Sequence, residues 1–352
     1  MLSKKIPVSV LAATGSVGQR FIQLLDGHPW FEVTEVTGSD RSVGQKYGTA
    51  CRWLLNDPMP EWAKDLVVQP TEPRGLASRI AFSALPADIA KDVEPAFAAS
   101  GVWVCSNASA YRRESDVPIL LPEVNPDHLN LLNQQKHNHG WKSGIITNPN
   151  CTSTGMTVAL KALQQKFGLR KVFAVSMQAI SGAGYPGVPS MDIIDNVIPY
   201  IGGEEDKVEW EPRKMLGSVK ESGLELASLV ISAHTNRVAV VDGHTVCLSI
   251  EFDQPVSANE ATKALREFQA PEVSRNLPSS PLPVIIVRDE ENRPQPRLDR
   301  GAGRGMATVV GRVRPDPLFH LKFVVVSHNT IRGAAGGSIF NAELLVQSGY
   351  LD

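Results

Sequence analysis

The chain has no uninterrupted apolar run approaching the roughly 18 residues that a membrane-spanning helix needs, so no spanning segment is expected. Charge of neither sign dominates: 35 Lys and Arg stand against 37 Asp and Glu, a formal net charge of -2. A nucleic-acid-binding surface needs a basic excess, so that class is excluded, while a local basic pocket for a small anion is not. Cysteine is scarce, with four in 352 residues, and Cys51, Cys105, Cys151 and Cys247 lack the short spacings of a metal site. Neither a metal centre nor a disulfide framework is expected, and a reducing cytoplasmic setting suits the pattern. The first residues, Met1 to Lys5, run into an apolar strand with no signal-peptide core. Internal repeats and low-complexity stretches are also missing, which argues against solenoids and disordered tails.

What is present reads as an ordinary globular protein, 42% apolar and 20% charged. Its length exceeds one typical core and implies two domains. Short apolar runs at Pro7–Leu11, Phe31–Val36, Arg79–Leu85, Val102–Cys105 and Gly144–Thr147 alternate with helical patterns. That alternation predicts a parallel, doubly wound sheet. Beyond Cys151 the apolar runs lengthen and alternate, at Val172–Met177, Thr245–Phe252 and Leu321–Val326. They predict a mixed or antiparallel sheet with helices on one face, a second, α+β domain. Asp289–Arg304, rich in charge, Pro and Gly, reads as a long loop or lid, and Gly337–Val346 reads as a helix.

Three segments carry residues suited to chemistry. The first is Asn148–Gly155, which places Cys151 between the Gly144–Thr147 strand and a helix read over Gly155–Leu163, with Thr152, Ser153 and Thr154 as capping candidates. A thiol at a helix start faces unpaired N–H groups and the positive end of the macrodipole, which favour the thiolate. The alternative is a buried free cysteine. The second is Asn236–His244, where Arg237 and His244 flank an apolar run. The Asp242-Gly243 turn predicts that His244 stands where the chain re-enters a sheet. Histidine supplies the acid and base that a cysteine nucleophile needs, although a lone histidine at a strand start is usually structural.

The third segment is Pro7–Leu25: buried strand, glycine turn, then helix. In such a turn Gly15 and Gly18 allow a pyrophosphate to approach the backbone, and Thr14 and Ser16 can donate hydrogen bonds. Ala12 occupies the place of the first glycine in the usual pattern. The second strand leads into Ser39-Asp40-Arg41-Ser42. Ser39, Arg41 and Ser42 suit a ribose 2′-phosphate, whereas Asp40 equally suits a 2′-hydroxyl.

Together these segments resemble aspartate-β-semialdehyde dehydrogenase, most closely its archaeal and fungal branch. The resemblance runs along nearly the whole chain, through Ser106–Arg112, Pro122–Asn125, Gln178–Gly184, Gly203–Lys207, Arg293–Arg297 and Asn329–Gly337. It implies a Rossmann-like dinucleotide domain from residues 1-150 plus 333-352, and a catalytic and oligomerisation domain at 151-332. The activity implied is reduction of L-aspartyl-β-phosphate by NADPH, through a thioester on Cys151, in biosynthesis of aspartate-family amino acids. Carried over residue by residue, His244 is the acid/base, Gln178 orients substrate, and Asn150 with the helix-start N–H groups steadies the oxyanion. Arg237 takes the α-carboxylate, Glu204 the α-amino group, and Arg112 and Lys207 the phosphate, with Asn107 also at the substrate. NADP is implied at Thr14, Gly15, Ser16, Val17, Gly18, Ser39, Arg41, Ser42, Ser83, Ser181, Gly182 and Asn329. The resemblance also implies a homodimer or homotetramer. Malonyl-coenzyme A reductase and N-acetyl-γ-glutamyl-phosphate reductase share this plan, and a non-catalytic NADP-binding sensor is a reading from another class. Glu204 separates the first two from the aspartyl substrate, since neither offers a free α-amino group.

Overall fold

The computed structural model describes residues 4–221 and 223–351, which divide into two compact units. The first takes in the chain up to Leu120, Asp127–Asn148, and the chain from Ala334 onward. The second holds Leu121–Pro126 and Pro149–Gly333.

The first unit is built on β1 (Ile6–Leu11), β2 (Phe31–Gly38), β3 (Val68–Pro70), β4 (Ile80–Ser83), β5 (Trp103–Ser106) and β6 (Ile145–Thr147). All pair in parallel, in the order β3-β2-β1-β4-β5-β6. Every residue of β4 and β5 is buried, because a parallel sheet is covered on both faces. The helices of this unit include α1 (Ser16–Leu25), α2 (Ala87–Ser100), α3 (Leu131–His139) and the C-terminal helix Gly336–Gln347. The last packs on β4, β5 and α1 and is buried almost all round, its Ser338, Asn341 and Glu343 included. The strand order reverses between β1 and β4, so a ligand crevice opens at their carboxyl ends.

The glycine turn lies at that crevice. A Cβ on Gly18 would stand 2.4 Å from the Ala12 carbonyl oxygen, so only glycine lets α1 meet β1 so closely. Ala12 itself adopts the left-handed region, φ 56°, which costs a residue with a Cβ about 1–2 kcal/mol. Glycine would remove that strain but add about 0.4–1 kcal/mol of unfolded-chain entropy. Ala12→Gly is therefore expected to leave stability unchanged or raise it by up to about 1 kcal/mol in urea unfolding. A loss of about 1 kcal/mol, usual for Ala→Gly in a regular element, would mean the turn does not hold this residue left-handed.

The second unit contains α4 (Cys151–Phe167), β7 (Lys171–Gln178), α5 (Glu204–Met215), β8 (Ser218–Lys220), β9 (Gly223–Glu225), β10 (Val230–Arg237), β11 (His244–Glu251), α6 (Ala258–Glu267), β12 (Ile285–Arg288), β13 (Thr308–Pro315) and β14 (Leu321–Ser327). Six strands form one mixed sheet, β10-β7-β11-β14-β13-β12; β8 and β9 form a separate hairpin. β10 runs parallel to β7, and β11 pairs antiparallel with both β7 and β14. The register sets Arg237 opposite Gln178 and His244 opposite Ser327. Arg237, Gln178 and His244 thus share one end of three neighbouring strands, β10, β7 and β11. α4 packs against α5, α6, β11, β13 and β14, with Thr152–Leu160 wholly buried.

Asp289–Arg304 is a loop with a one-turn helix at Pro296–Asp299, but it is fastened rather than free. The Asp299 side chain is fully buried and accepts from Arg288 Nε at 2.9 Å, Arg293 Nε at 2.7 Å and Gln295 N at 2.7 Å. Burial would raise its pKa, but the hydrogen bonds from Arg293, Gln295 and Arg288 outweigh burial and hold it below the usual carboxylate range. A charged hub of that kind anchors a loop, which replaces the expectation of a lid.

Candidate active site

α4 begins at Cys151, four residues before the helix start read from the sequence. The reason is Asn150, a good cap that precedes the Thr-Ser-Thr run and takes the capping place first. Its Oδ1 accepts from the backbone N–H groups of Thr152 at 2.9 Å and Ser153 at 3.2 Å. Thr154 Oγ1 turns back to the Asn150 carbonyl at 2.9 Å, inside the helix and not capping it. Cys151 therefore occupies the first helical position, where the N-terminal partial charge favours a thiolate most. The thiols of Cys51, Cys105 and Cys247 are all pushed above their ordinary range by burial, so their thiolates are disfavoured.

His244, the first residue of β11, brings Nε2 to 3.1 Å from Cys151 Sγ. Its other nitrogen, Nδ1, accepts the backbone N–H of Ala179 at 3.0 Å. An accepting Nδ1 leaves the single proton of the neutral ring on Nε2, facing the sulfur. The pair that fits is a thiolate receiving an N–H, with the ring uncharged. Burial, then the Arg237 guanidinium and His328, push the His244 pKa from 6.5 down to about 3. The carbon-13 shift of a labelled His244 ring should therefore stay flat from about pH 5 to 8. A titration near 6.5 that vanishes in His244→Asn would show an imidazolium instead. The unfolded chain protonates this residue below 6.5 while the fold refuses the proton until about 3, so His244 costs stability as pH falls through that window.

Around the pair stand buried polar side chains from three elements. Glu204, first in α5, accepts at Oε1 from Asn150 Nδ2 at 2.8 Å and Gln178 Nε2 at 3.0 Å. Lys207 lies 3.5 Å from its Oε2, so the pair shares one helix face as their spacing suggested. Arg237, last in β10, donates from Nη1 to the Ala179 carbonyl at 2.8 Å. Burial lowers the Arg237 pKa, while Cys151 and Glu204 pull it back up. Asn150 spends Oδ1 on the helix cap and Nδ2 on Glu204, so both ends of its amide hold the site together. Glu211 went unnoticed in the sequence; its buried Oε2 accepts the Asn150 backbone N–H at 2.6 Å.

The segment after β7 is clamped to the turn before β11. Asn329 donates from Nδ2 to Ser181 Oγ at 2.8 Å and accepts at Oδ1 from Gly243 N at 2.8 Å. Arg300 Nη1 holds the Asp242 carbonyl at 2.8 Å. Ser181 and Asn329, expected at the cofactor, thus also fix the turn that delivers His244. Two glycines give way to the site: a Cβ on Gly182 would stand 2.7 Å from Arg237 Nη1, and one on Gly333 would stand 2.7 Å from Cys151 Cβ.

The remaining candidates belong to the first unit. Gly15 precedes α1 without a side-chain cap, so the helix-start N–H groups next to Thr14, Ser16 and Val17 keep the character of an anion cradle. With Gly18 packed against Ala12 and the strand reversal alongside, these residues fit a dinucleotide. Ser39 and Arg41 are exposed after β2, whereas Ser42 is buried and donates Oγ to the Ser39 carbonyl at 2.8 Å. Its hydroxyl hydrogen is spent on shaping the loop, and the exposed Arg41 is a cation beside it among the described residues. Asn107 donates to the Ser83 carbonyl from N at 3.0 Å and Nδ2 at 3.3 Å, and Arg112 Nη2 donates to the Asn107 carbonyl at 2.8 Å. Among the described residues no cluster of His, Cys, Asp or Glu could hold a metal, and no helix is long and apolar enough to cross a membrane.

Comparison with known proteins adds three kinds of likeness. The family described as semialdehyde dehydrogenase, NAD binding domain, matches residues 7–132, and semialdehyde dehydrogenase, dimerisation domain, matches residues 160–332. The aspartate-semialdehyde dehydrogenase of Archaeoglobus fulgidus is 53% identical over 340 residues, 97% of this chain and 98% of that one. The protein of that name from Cryptococcus neoformans is 45% identical over 359 residues, 99% of this chain and 98% of its own. A crystal structure of aspartate semialdehyde dehydrogenase with NADP from Candida albicans has a TM-score of 0.91 at 43% identity, covering 99% of this chain and 100% of that chain.

Proposed function

The chain belongs to the semialdehyde dehydrogenase family, and from that membership we propose the reaction and the roles of its residues. The protein is an NADP-dependent oxidoreductase that converts L-aspartyl-β-phosphate to L-aspartate-β-semialdehyde with release of phosphate, in amino-acid biosynthesis. The observation that carries the residue roles is the 3.1 Å approach of Cys151 Sγ to His244 Nε2 at a helix start.

Cys151 attacks the acyl carbon as thiolate, phosphate leaves, and a thioester forms. Splitting the conversion through a covalent acyl group replaces one difficult displacement by two easier steps. NADPH, when bound, supplies the hydride that reduces the thioester carbonyl. His244 acts at Nε2, steadying first the thiolate and then the carbonyl oxygen as negative charge moves onto it. Arg237 offsets the thiolate and offers its remaining N–H groups to the substrate α-carboxylate. Glu204 presents Oε2, which it shares with Lys207 at 3.5 Å, to the α-ammonium, since Asn150 and Gln178 already occupy Oε1. Arg112 and Lys207 serve the phosphate, and Arg41 the 2′-phosphate of NADP.

Glu204 favours this substrate over those of malonyl-coenzyme A reductase and N-acetyl-γ-glutamyl-phosphate reductase. The carboxylate keeps Lys207 beside Oε2 in either case, and a substrate ammonium adds a charged partner that the rival substrates cannot supply. The experiment is a comparison of phosphate-dependent NADP reduction by aspartate semialdehyde and succinic semialdehyde, which lacks only the amino group. Preference for aspartate semialdehyde by a factor of roughly a hundred or more is expected. Equal or inverted preference would remove the aspartyl assignment and keep the enzyme class.

The protein assembles with copies of itself, as dimer or tetramer, in the cytoplasm. Tyr185, Met191, Ile194, Val197 and Tyr200 all lie exposed along one stretch of the second unit, Met191 at 85% and Tyr200 at 72%. That density of bare apolar side chains supports an interface. The double substitution Met191→Asp and Ile194→Asp should shift the species seen by light scattering toward monomer. An unchanged mass would place the interface elsewhere. Free thiols at all four cysteines suit the reducing compartment.

A further inference from the structure

A carboxylate that the reaction leaves unused lies beneath the ends of β4 and β5. Glu94 projects from α2, is fully buried, and accepts at Oε1 from Ser106 Oγ at 2.6 Å. Ser106 Oγ accepts in turn from Ala108 N at 3.0 Å. The loop from Ser106 to Arg112 continues this network: Arg112 N donates to the Ser109 carbonyl at 3.3 Å, and Arg112 Nη2 to the Asn107 carbonyl at 2.8 Å. Glu94 Oε2 is enclosed, with the Ser83 hydroxyl acting on the carboxylate from the end of β4. The charged and titratable groups that act on Glu94 are Arg112 and Tyr111, both in this loop, beside the hydroxyls of Ser83 and Ser106. Tyr111 is influenced as well by Asp92 of α2 and by Glu114.

An enclosed carboxylate must be met by a countercharge or take up a proton. Burial pushes Glu94 up to about 7, against the opposing pull of Ser106, Ser83 and the Arg112 guanidinium. Near neutral pH, then, Glu94 exchanges between carboxylate and carboxylic acid, and the field at the Arg112 guanidinium in the loop it holds changes with it.

We propose that Glu94 is a positioning residue and countercharge for Arg112, holding the Ser106–Arg112 loop through Ser106 and setting how much of the guanidinium charge is offered to phosphate. The proposal rests on the reading of Arg112 as a phosphate ligand. A phosphate dianion at Arg112 competes with the Glu94 carboxylate, so its binding favours proton uptake by Glu94. Phosphate affinity should accordingly weaken as pH rises through about 7.

The test is KM for inorganic phosphate in the aldehyde-oxidising direction, from about pH 6 to 8.5, in the full-length enzyme. Expressing KM for the dianion removes the titration of phosphate itself. Wild type should show a rise of roughly five- to tenfold, a shift of up to about one unit in the linked proton. Glu94→Gln keeps the acceptor for Ser106 and removes the charge, so its KM should stay flat at the low-pH value with kcat unchanged. Ser106→Ala should retain the rise but move its midpoint to higher pH, because the lost hydrogen bond favoured the carboxylate. If Glu94→Gln keeps the wild-type rise, or Ser106→Ala leaves the midpoint in place, while Arg112→Ala raises KM, the proposal is overturned and the role of Arg112 stands. If Arg112→Ala leaves KM for phosphate unchanged, the phosphate reading of Arg112 fails and takes the proposal with it.

Discussion

Cys151→Ser should lower turnover by about 10³-fold or more while leaving NADP binding and unfolding midpoint close to wild type. A hydroxyl at the first position of α4 gains little from the macrodipole, because its ionisation lies far above the range that a helix start can reach. Serine is also nearly isosteric, so the Asn150 cap and the approach of Gly333 survive. The measurement is steady-state NADP reduction beside NADP affinity on the same preparation. Turnover within tenfold of wild type would remove the thiol from the reaction. Cys105→Ser, in the buried strand β5, should alter stability before activity.

Arg237→Lys should reduce kcat/KM by roughly a hundredfold or more. The guanidinium holds the Ala179 carbonyl with Nη1 and has further N–H groups left for a carboxylate. Lysine has a single ammonium and cannot do both in fixed geometry, and each charged hydrogen bond lost costs about 1.5–3 kcal/mol. Ala179 also donates the N–H that fixes His244, so disturbing its carbonyl reaches the catalytic ring. Lysine keeps the positive charge beside the thiolate, whereas Arg237→Met removes it. Alkylation of Cys151 by iodoacetamide should therefore slow in the methionine variant and much less in the lysine variant. Equal alkylation rates in all three proteins would mean that Arg237 does not offset the thiolate.

Five strands of the parallel sheet were legible as apolar runs bounded by small and polar residues, whereas β3, Val68–Pro70, is three residues long with one buried and went unread. β10 was not legible either, since its inward positions are Ile231, Ala233, Thr235 and Arg237, and that mixture hides the two-residue period. β12 and β13 went unread for the same reason: Arg288, Arg312 and Arg314 interrupt short apolar stretches. At the site, Cys151 and His244 stood out by residue type and by the turn signals beside them. The cap was misread because Thr-Ser-Thr and Asn150 are both good caps, and only burial of the threonines decides between them. Glu211 and Glu94 could not be found from local pattern. Each looks like an ordinary charge on a helix, and its importance comes from a distant backbone N–H or hydroxyl that folding brings against it.

The central claim, a thioester on Cys151 that phosphate later cleaves, is tested most directly with phosphate left out. Wild-type enzyme mixed with aspartate semialdehyde and NADP should release one NADPH per site in a burst and then stop. Peptide mass analysis should place an aspartyl adduct on Cys151, and added phosphate should discharge it and restart turnover. No burst, or an adduct on any residue other than Cys151, would contradict the account.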